Sequence, residues 1–451
     1  MPKPLTRRGF LQATAVAGAF GFWPGAGWGK DKKQSANDKL HVGVIGIAGQ
    51  GAYDLNEVYK SGGAEIVALC DVIEGPSGAG LENNWLLRER GEQVAKTRER
   101  FPQAKFYTDF RRLLEQPGLD AAVIATPDHT HAVATMAALK AGLHVYCEKP
   151  LTHTVSEARL VAETARKQKR VTQMGTQIHA GDNYRRAVEL IQSGAIGPVK
   201  EVHVWCQKYY PGGDRPKDKP PVPAGFHWDL WLGPAPVRPY HPVYLPFDWR
   251  GWWDFGGGTL ADMACHYTDL PFWALKLRHP TSVHAEGSPA PAHAEGAARW
   301  LIVHYEFPAR GELPPVQLTW YDGGKQPKYF EDKKLPAWGD GVLFVGEKGM
   351  LLADYGNHKL LPEKDFAGFQ PPKPSIKNSI GHHKEWVEAC KIGGPTTCNF
   401  DYAGALTETV LLGNVSYRLG KGFSWDAKNL SASQPEAERF IQHHYRKGWT
   451  L

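Results

Sequence analysis

The chain has 451 residues, 42% hydrophobic and 22% charged, the balance of an ordinary folded protein with room for two domains and a sizeable core. Its formal charge is +6, and three of the positive charges, Lys3, Arg7 and Arg8, fall in residues 1–29, which hold no acid. The remainder is close to neutral, which speaks against a basic nucleic-acid-binding face.

Residues 1–30 do not read as fold. Thr6-Arg7-Arg8-Gly9-Phe10-Leu11-Gln12 is a twin-arginine pattern, followed by an apolar segment to Phe22 rich in Ala and Gly. That segment is shorter than the roughly 20 apolar residues needed to span a bilayer. The layout predicts a signal for the twin-arginine export machinery and a periplasmic or otherwise exported protein. Residues 31–38 form a polar linker. The six cysteines form no C-x-x-C pair, and Cys390 with Cys398 is the locally plausible disulfide.

Leu40 to Ile45 is an apolar strand that runs into Gly46-Ile47-Ala48-Gly49-Gln50-Gly51 and a helix to Lys60. A second strand ends at Asp71. Strand, glycine turn, helix and strand-end acid make a βαβ dinucleotide unit, with Gly46, Ala48, Gly49, Gln50 and Gly51 as cofactor contacts. Asp71 falls where a carboxylate accepts ribose hydroxyls and repels a 2′-phosphate, so NAD is favoured over NADP. No arginine directly follows Asp71 to argue otherwise. Residues 75–91 read as an insertion, with a helix continuing to Arg100. The strand at 121–125 leads into Thr126-Pro127-Asp128-His129-Thr130-His131, which opens a helix to Ala141. Thr126, Pro127 and His131 are assigned to the cofactor crevice. No carboxylate and histidine cluster with ligand spacing surrounds them, so no metal is assigned.

The apolar run Leu143 to Cys147 is a buried strand ending in Glu148-Lys149-Pro150. In an open α/β sheet the ligand crevice lies outside such strand ends, so Glu148 and Lys149 are placed at cofactor and substrate. Pro150 is the place for a cis bond. Strands alternating with helices predict a parallel, doubly wound sheet.

Beyond residue 175, strands at 199–207, 281–286, 300–306, 316–321, 341–345 and 349–353 come without long helices between them, which predicts a mainly antiparallel sheet. Val199 to Gln207 alternates as a half-exposed strand does. Gln177, His179 and Trp253 are assigned to substrate. The segment 209–255 is rich in proline and aromatics. Aromatic faces suit a sugar site, although most of these rings are expected to be packing. Gly256-Gly257-Gly258 opens a helix that places Asp262 and His266 at i and i+4 on one face. A histidine beside a carboxylate can exchange protons near neutral pH. Residues 377–419 read as helical.

These motifs resemble the glucose–fructose oxidoreductase, inositol dehydrogenase and MocA family, usually written Gfo/Idh/MocA, over residues 40 to about 425. The resemblance rests on the glycine turn 46–51, Cys70-Asp71, Thr126 to His131, Glu148-Lys149-Pro150 and Gly256-Gly257-Gly258 with Asp262 and His266. It implies a Rossmann domain, drawn at 39–175, and a substrate-binding and oligomerisation domain, drawn at 176–451, whose α/β fold has an open antiparallel sheet. It implies NAD(P), a sugar or cyclitol substrate, Lys149, His266 and Asp262 around the reacting carbon, and a homo-oligomer formed through the outer sheet face. Ala48, the 75–91 insertion and the long aromatic segment depart from the pattern.

In the resulting mechanism His266 takes a hydroxyl proton, Lys149 polarises the same oxygen, and Asp262 orients His266 or holds a neighbouring hydroxyl. Lys149 and His266 could also act in the reverse order. Export of a folded protein implies a tightly bound cofactor reset inside the site. Two chemistries do this: oxidising one sugar while reducing another, or a redox-neutral glycoside hydrolysis through C3 oxidation, elimination and water addition. A cofactor-loaded sugar-binding protein without turnover is the reading of another class.

Overall fold

The computed structural model describes residues 39–76, 85–210, 212–289, 295–332, 335, 338–442 and 444–451. The twin-arginine segment, the linker and the middle of the 75–91 insertion lie outside the described residues.

Six short strands, β1 (Leu40–Ile45), β2 (Ala64–Cys70), β3 (Lys105–Tyr107), β4 (Ala121–Ile124), β5 (His144–Cys147) and β6 (Thr172–Met174), form one sheet in the order 3-2-1-4-5-6. Every pairing in it is parallel. The inner strands β1, β2, β4 and β5 are largely apolar because helices cover both faces, while the edge strands are more polar, with Lys105 on β3 and Thr172 and Gln173 on β6. They include α1 (Gln50–Lys60), α2 (Trp85–Arg100), α3 (Phe110–Leu114), α4 (Asp128–Lys140) and α5 (Val155–Gln168). Strand order reverses between β1 and β4, where a doubly wound sheet opens its crevice.

A nine-stranded sheet follows, in the order 13-12-11-7-10-9-8-14-15. Its members are β7 (Val199–Trp205), β8 (Ser282–Gly287), β9 (Leu301–Phe307), β10 (Val316–Tyr321), β11 (Gly341–Gly346), β12 (Met350–Ala353), β13 (His358–Leu361), β14 (Phe423–Asp426) and β15 (Ser431–Ala432). The β7–β10 pair is parallel and the other pairs are antiparallel. Clean alternation of buried and exposed residues holds on β8 and β9. On β7 it fails, with Val202 to Trp205 all buried. Trp205, Leu343, Leu352 and Leu361 are covered on the outer face by Tyr329, Phe330 and Trp338, and the Trp205 indole donates to the Trp338 carbonyl at 3.1 Å.

The helical region at 377–419 is two helices, His382–Ile392 and α6 (Phe400–Leu419). Asn399 starts α6 by accepting from the amides of Asp401 and Tyr402, as an N-cap does. The buried helix α6 packs on α5 and β8. Glu408 accepts from Arg159 at 2.8 Å, tying α6 to α5. Helix α6 also packs against α7 (Gly258–Tyr267), the helix that carries Asp262 and His266. All six cysteines, Cys390 and Cys398 included, are free and buried.

Candidate active site

The ends of β1, β2, β4 and β5 open into a cavity of about 720 Å³ whose far wall comes from residues between 208 and 267 together with Asp340, Tyr355 and Trp449. Gly46 has φ +82°, and a Cβ on Gly51 would collide with the Gly46 carbonyl oxygen. Glycine at both places lets β1 turn directly into α1, which brings a helix N-terminus to the cavity. Helix α2 lies over this turn. Gln93 accepts from the Gly49 amide at 2.7 Å, and Arg90 rests against Gly49, where a Cβ would strike its guanidinium.

Asp71 closes β2 with its carboxylate fixed. One oxygen accepts from the Ile47 amide and the other from the Ile73 amide, both at 3.0 Å. Burial pushes its carboxyl up. A helix N-terminus with an arginine beside it, followed by a fixed strand-end carboxylate, fits the pyrophosphate and ribose of a dinucleotide.

At the other end the Lys149–Pro150 bond is cis. Lys149 Nζ donates to Asp262 Oδ1 at 2.6 Å and to the Asp262 carbonyl at 3.1 Å. Arg250 Nε donates to the same Oδ1 at 2.9 Å, with its guanidinium over the Trp249 ring. Burial alone would raise the Asp262 carboxyl, but Lys149 and Arg250 outweigh it and hold it well below the usual carboxylate range. His266 stands one turn further along α7. Burial and the Lys149 charge push its imidazole down to about 3, so it is neutral at physiological pH. Among the described residues its Nδ1 has no hydrogen-bond partner. The expectation that Asp262 orients His266 therefore gives way: the carboxylate is drawn to Lys149 and Arg250 instead.

Glu148 Oε1 accepts from Gln177 at 2.6 Å and from Gln50 at 3.4 Å. Burial and the neighbouring Asp54 push Glu148 up to about 8, and burial pushes Asp54 up to about 7. Asp54 Oδ1 in turn lies 3.1 Å from the Gln50 amide nitrogen and 2.9 Å from His383 Nε2.

The cavity thus brings together Gly46, Ala48, Gly49, Gln50, Asp71, Thr126, Pro127, Glu148, Lys149, Gln177, Asp262 and His266. Four assigned residues are not in its wall. Gly51 lies beneath the turn. His131 has its ring nitrogens 2.7 Å from the carbonyls of Thr126 and Pro150, bracing two strand ends from behind. His179 is buried, 2.9 Å from Asp269 and stacked on Trp273. Trp253 faces a separate cavity of about 220 Å³ and carries the Arg418 guanidinium 5.0 Å from its ring. Sequence reasoning missed Arg90, Arg250 and Asp54. A charged residue flanked by aromatics, as Arg250 is, was a readable signal. Arg90 follows Asp71 at a distance that no motif marks. Among the described residues no group of three or more His, Cys, Asp or Glu is placed to hold a metal ion.

Two family models match the chain. Residues 40–176 match the Gfo/Idh/MocA oxidoreductase family's NAD-binding Rossmann fold, and residues 184–313 match its C-terminal alpha/beta domain. Inositol 2-dehydrogenase of Salmonella paratyphi B is 29% identical over 184 residues, 40% of this chain and 49% of that protein. A Glycosyl hydrolase family 109 protein of Stenotrophomonas maltophilia is 28% identical over 210 residues, 45% of this chain and 42% of that protein. The chain spans about half the length of the curated relatives it matches. An NAD-binding protein from Listeria innocua has the same fold, with a TM-score of 0.57 at 15% identity over 90% of this chain and 100% of that one. Since the two family models together cover more than half of its residues, the chain belongs to the Gfo/Idh/MocA oxidoreductase family.

Proposed function

We propose that this protein transfers hydride between a secondary alcohol of a sugar, glycoside or cyclitol and a tightly bound NAD. The observation that carries this reading is the Lys149–Asp262 ion pair and neutral His266 in the same cavity as the glycine turn and Asp71. The nicotinamide supplies the hydride acceptor and donor; the chain supplies the rest. His266 takes the hydroxyl proton as the alcohol is oxidised and returns it on reduction. Lys149 donates a hydrogen bond to the same oxygen. Asp262 holds Lys149 in place, and Arg250 fixes Asp262 from the other side. NAD is proposed over NADP because the Asp71 carboxylate disfavours a 2′-phosphate, with Arg90 as the residue that works the other way.

The Stenotrophomonas relative supports a second reading, in which C3 oxidation leads to loss of an aglycone, water addition and reduction back. Both readings place the substrate at Lys149 and His266. The arginine pair at residues 7 and 8 supports export, testable by fusing residues 1–38 to a reporter and disrupting the pair. A homo-oligomer through the outer face of the nine-stranded sheet is testable by light scattering.

The deciding experiment denatures the purified protein, identifies the released nucleotide by mass and absorbance, and then offers sugars, cyclitols and chromogenic glycosides without added cofactor. Growth of the reduced-nicotinamide band supports the oxidoreductase, and aglycone release supports the glycosidase. A nucleotide-loaded protein that binds sugars tightly and turns over none would overturn both.

A further inference from the structure

One end of the cavity, beyond Asp71, is assembled from three pieces of chain far apart in sequence. The loop after β2 is stitched to the start of the aromatic segment. The Glu74 amide donates to the Gly225 carbonyl and the His227 amide to the Val72 carbonyl, both at 2.9 Å, while Ile73 and Phe226 pair as an antiparallel bridge. Trp231, in the cavity wall, is backed by Trp228 with ring centres 4.7 Å apart. Much of the aromatic segment that composition suggests for a sugar is therefore packed against the loop following the ribose carboxylate.

The third piece is the stretch 444–451. The Arg446 guanidinium donates to Asp229 Oδ1 at 2.6 Å, to the Asp229 carbonyl at 2.7 Å and to the Gly233 carbonyl at 2.5 Å. Anchored on the aromatic segment in this way, the stretch carries Trp449 into the cavity wall, 8% exposed. Trp449 sits 6.0 Å from the Phe110 ring, and the Arg111 guanidinium lies 4.6 Å from its own. Arg111 itself donates to both oxygens of Asp109, which also lines the cavity. In a sheet of this order the adenosine half of a dinucleotide lies over the first three strands, on the Asp71 side of the crevice. The reacting groups Lys149 and His266 belong to the opposite end. Trp449 therefore bounds space that has an adenosine to hold and no reacting atom to meet.

Resting on the reading of a bound NAD, we propose that residues 444–451 form a clasp that retains the dinucleotide by its adenosine half, with Trp449 as a wall of the adenine pocket and Arg446 as its anchor. The ligand class is adenine nucleotides. The clasp gives a physical means of keeping the cofactor in the site through both halves of a redox cycle.

The test uses the full chain freed of nucleotide and titrated with two probes, ADP for the adenosine half and nicotinamide mononucleotide for the other. Trp449→Ala should weaken ADP about 10- to 100-fold, the loss seen when an aromatic partner of a base is removed, and leave the mononucleotide unchanged. Trp449→Phe should recover most of the loss. Arg446→Ala should weaken ADP selectively as well. Unchanged ADP affinity in the alanine variants, or equal loss on both probes, would overturn the clasp. A wild-type chain that binds neither probe would overturn the NAD reading itself.

Discussion

The two ends of the cavity are made of different materials. At the Lys149 end, two cations share one oxygen of a buried carboxylate, a neutral imidazole stands one helical turn away, and a second pair of carboxyls is buried behind them. At the far end the walls are Val72, Ile73, Phe110, Phe226, Trp231 and Trp449, drawn from distant parts of the chain. The first end has groups that can move a proton. The second has area, aromatic faces and anchoring bonds. The difference separates chemistry from retention, and substitutions should separate them too.

The largest effect belongs to Lys149→Ala. Turnover should fall by about 10³- to 10⁴-fold, with binding of ADP unchanged in a titration. Loss of ADP affinity alongside turnover would mean the two ends are not independent. His266→Ala should cost about 10²- to 10³-fold in kcat. The wild-type pH profile carries a second check on the same residue. Because burial and Lys149 depress the imidazole to about 3, its base form persists down to that pH, and rate is lost through His266 only as pH falls toward it. An acid limb near the ordinary histidine value of 6.5 that disappears in the His266 variant would contradict this.

Arg250→Gln comes next. With one of its two cations removed, the Asp262 carboxyl should rise toward the ordinary range and Lys149 should be held less well. A fall in kcat of about tenfold is expected, partly restored by Arg250→Lys, with ADP binding unaffected. The smallest effect concerns stability. Glu148 is held at about 8 in the folded chain against an ordinary 4.5, so between those values the unfolded chain has released a proton that the folded chain keeps. Stability therefore falls as pH rises through that window, with Asp54 contributing to the same titration. Glu148→Gln should flatten the fall, seen as a Tm that drops a few degrees less between about pH 5 and 8. An unchanged slope would show that Glu148 is ionised in the folded protein.

Much of the fold was legible because each βα unit of the parallel sheet announces itself with an apolar run and a turn. Strands β13 to β15 were not. They are short and mixed in composition: β13 and β15 close hairpins with β12 and β14 over two to four residues of ladder, and β14 pairs with the distant β8, so too few residues carry a strand pattern to mark them. The burial of β7 was also hidden, since its cover comes from Tyr329, Phe330 and Trp338. At the site, the positions of Lys149, Asp262 and His266 could be read, but not which of them pair. Spacing puts Asp262 and His266 on one helix face, and only the fold brings Arg250 and Lys149 to the same oxygen. The histidines at 131 and 179 illustrate the same limit: a polar residue near a motif is as well used bracing a carbonyl or an aspartate as facing a ligand.

The most direct test of hydride chemistry at Lys149 on a retained cofactor follows the reduced-nicotinamide absorbance of the purified protein, without added nucleotide, across a panel of sugars and cyclitols. A change of up to one equivalent per bound nucleotide in the wild-type chain, and none in an equally loaded Lys149→Ala variant, is the predicted result. An equal change in both proteins, or none with any sugar in a chain shown to carry NAD, would contradict it.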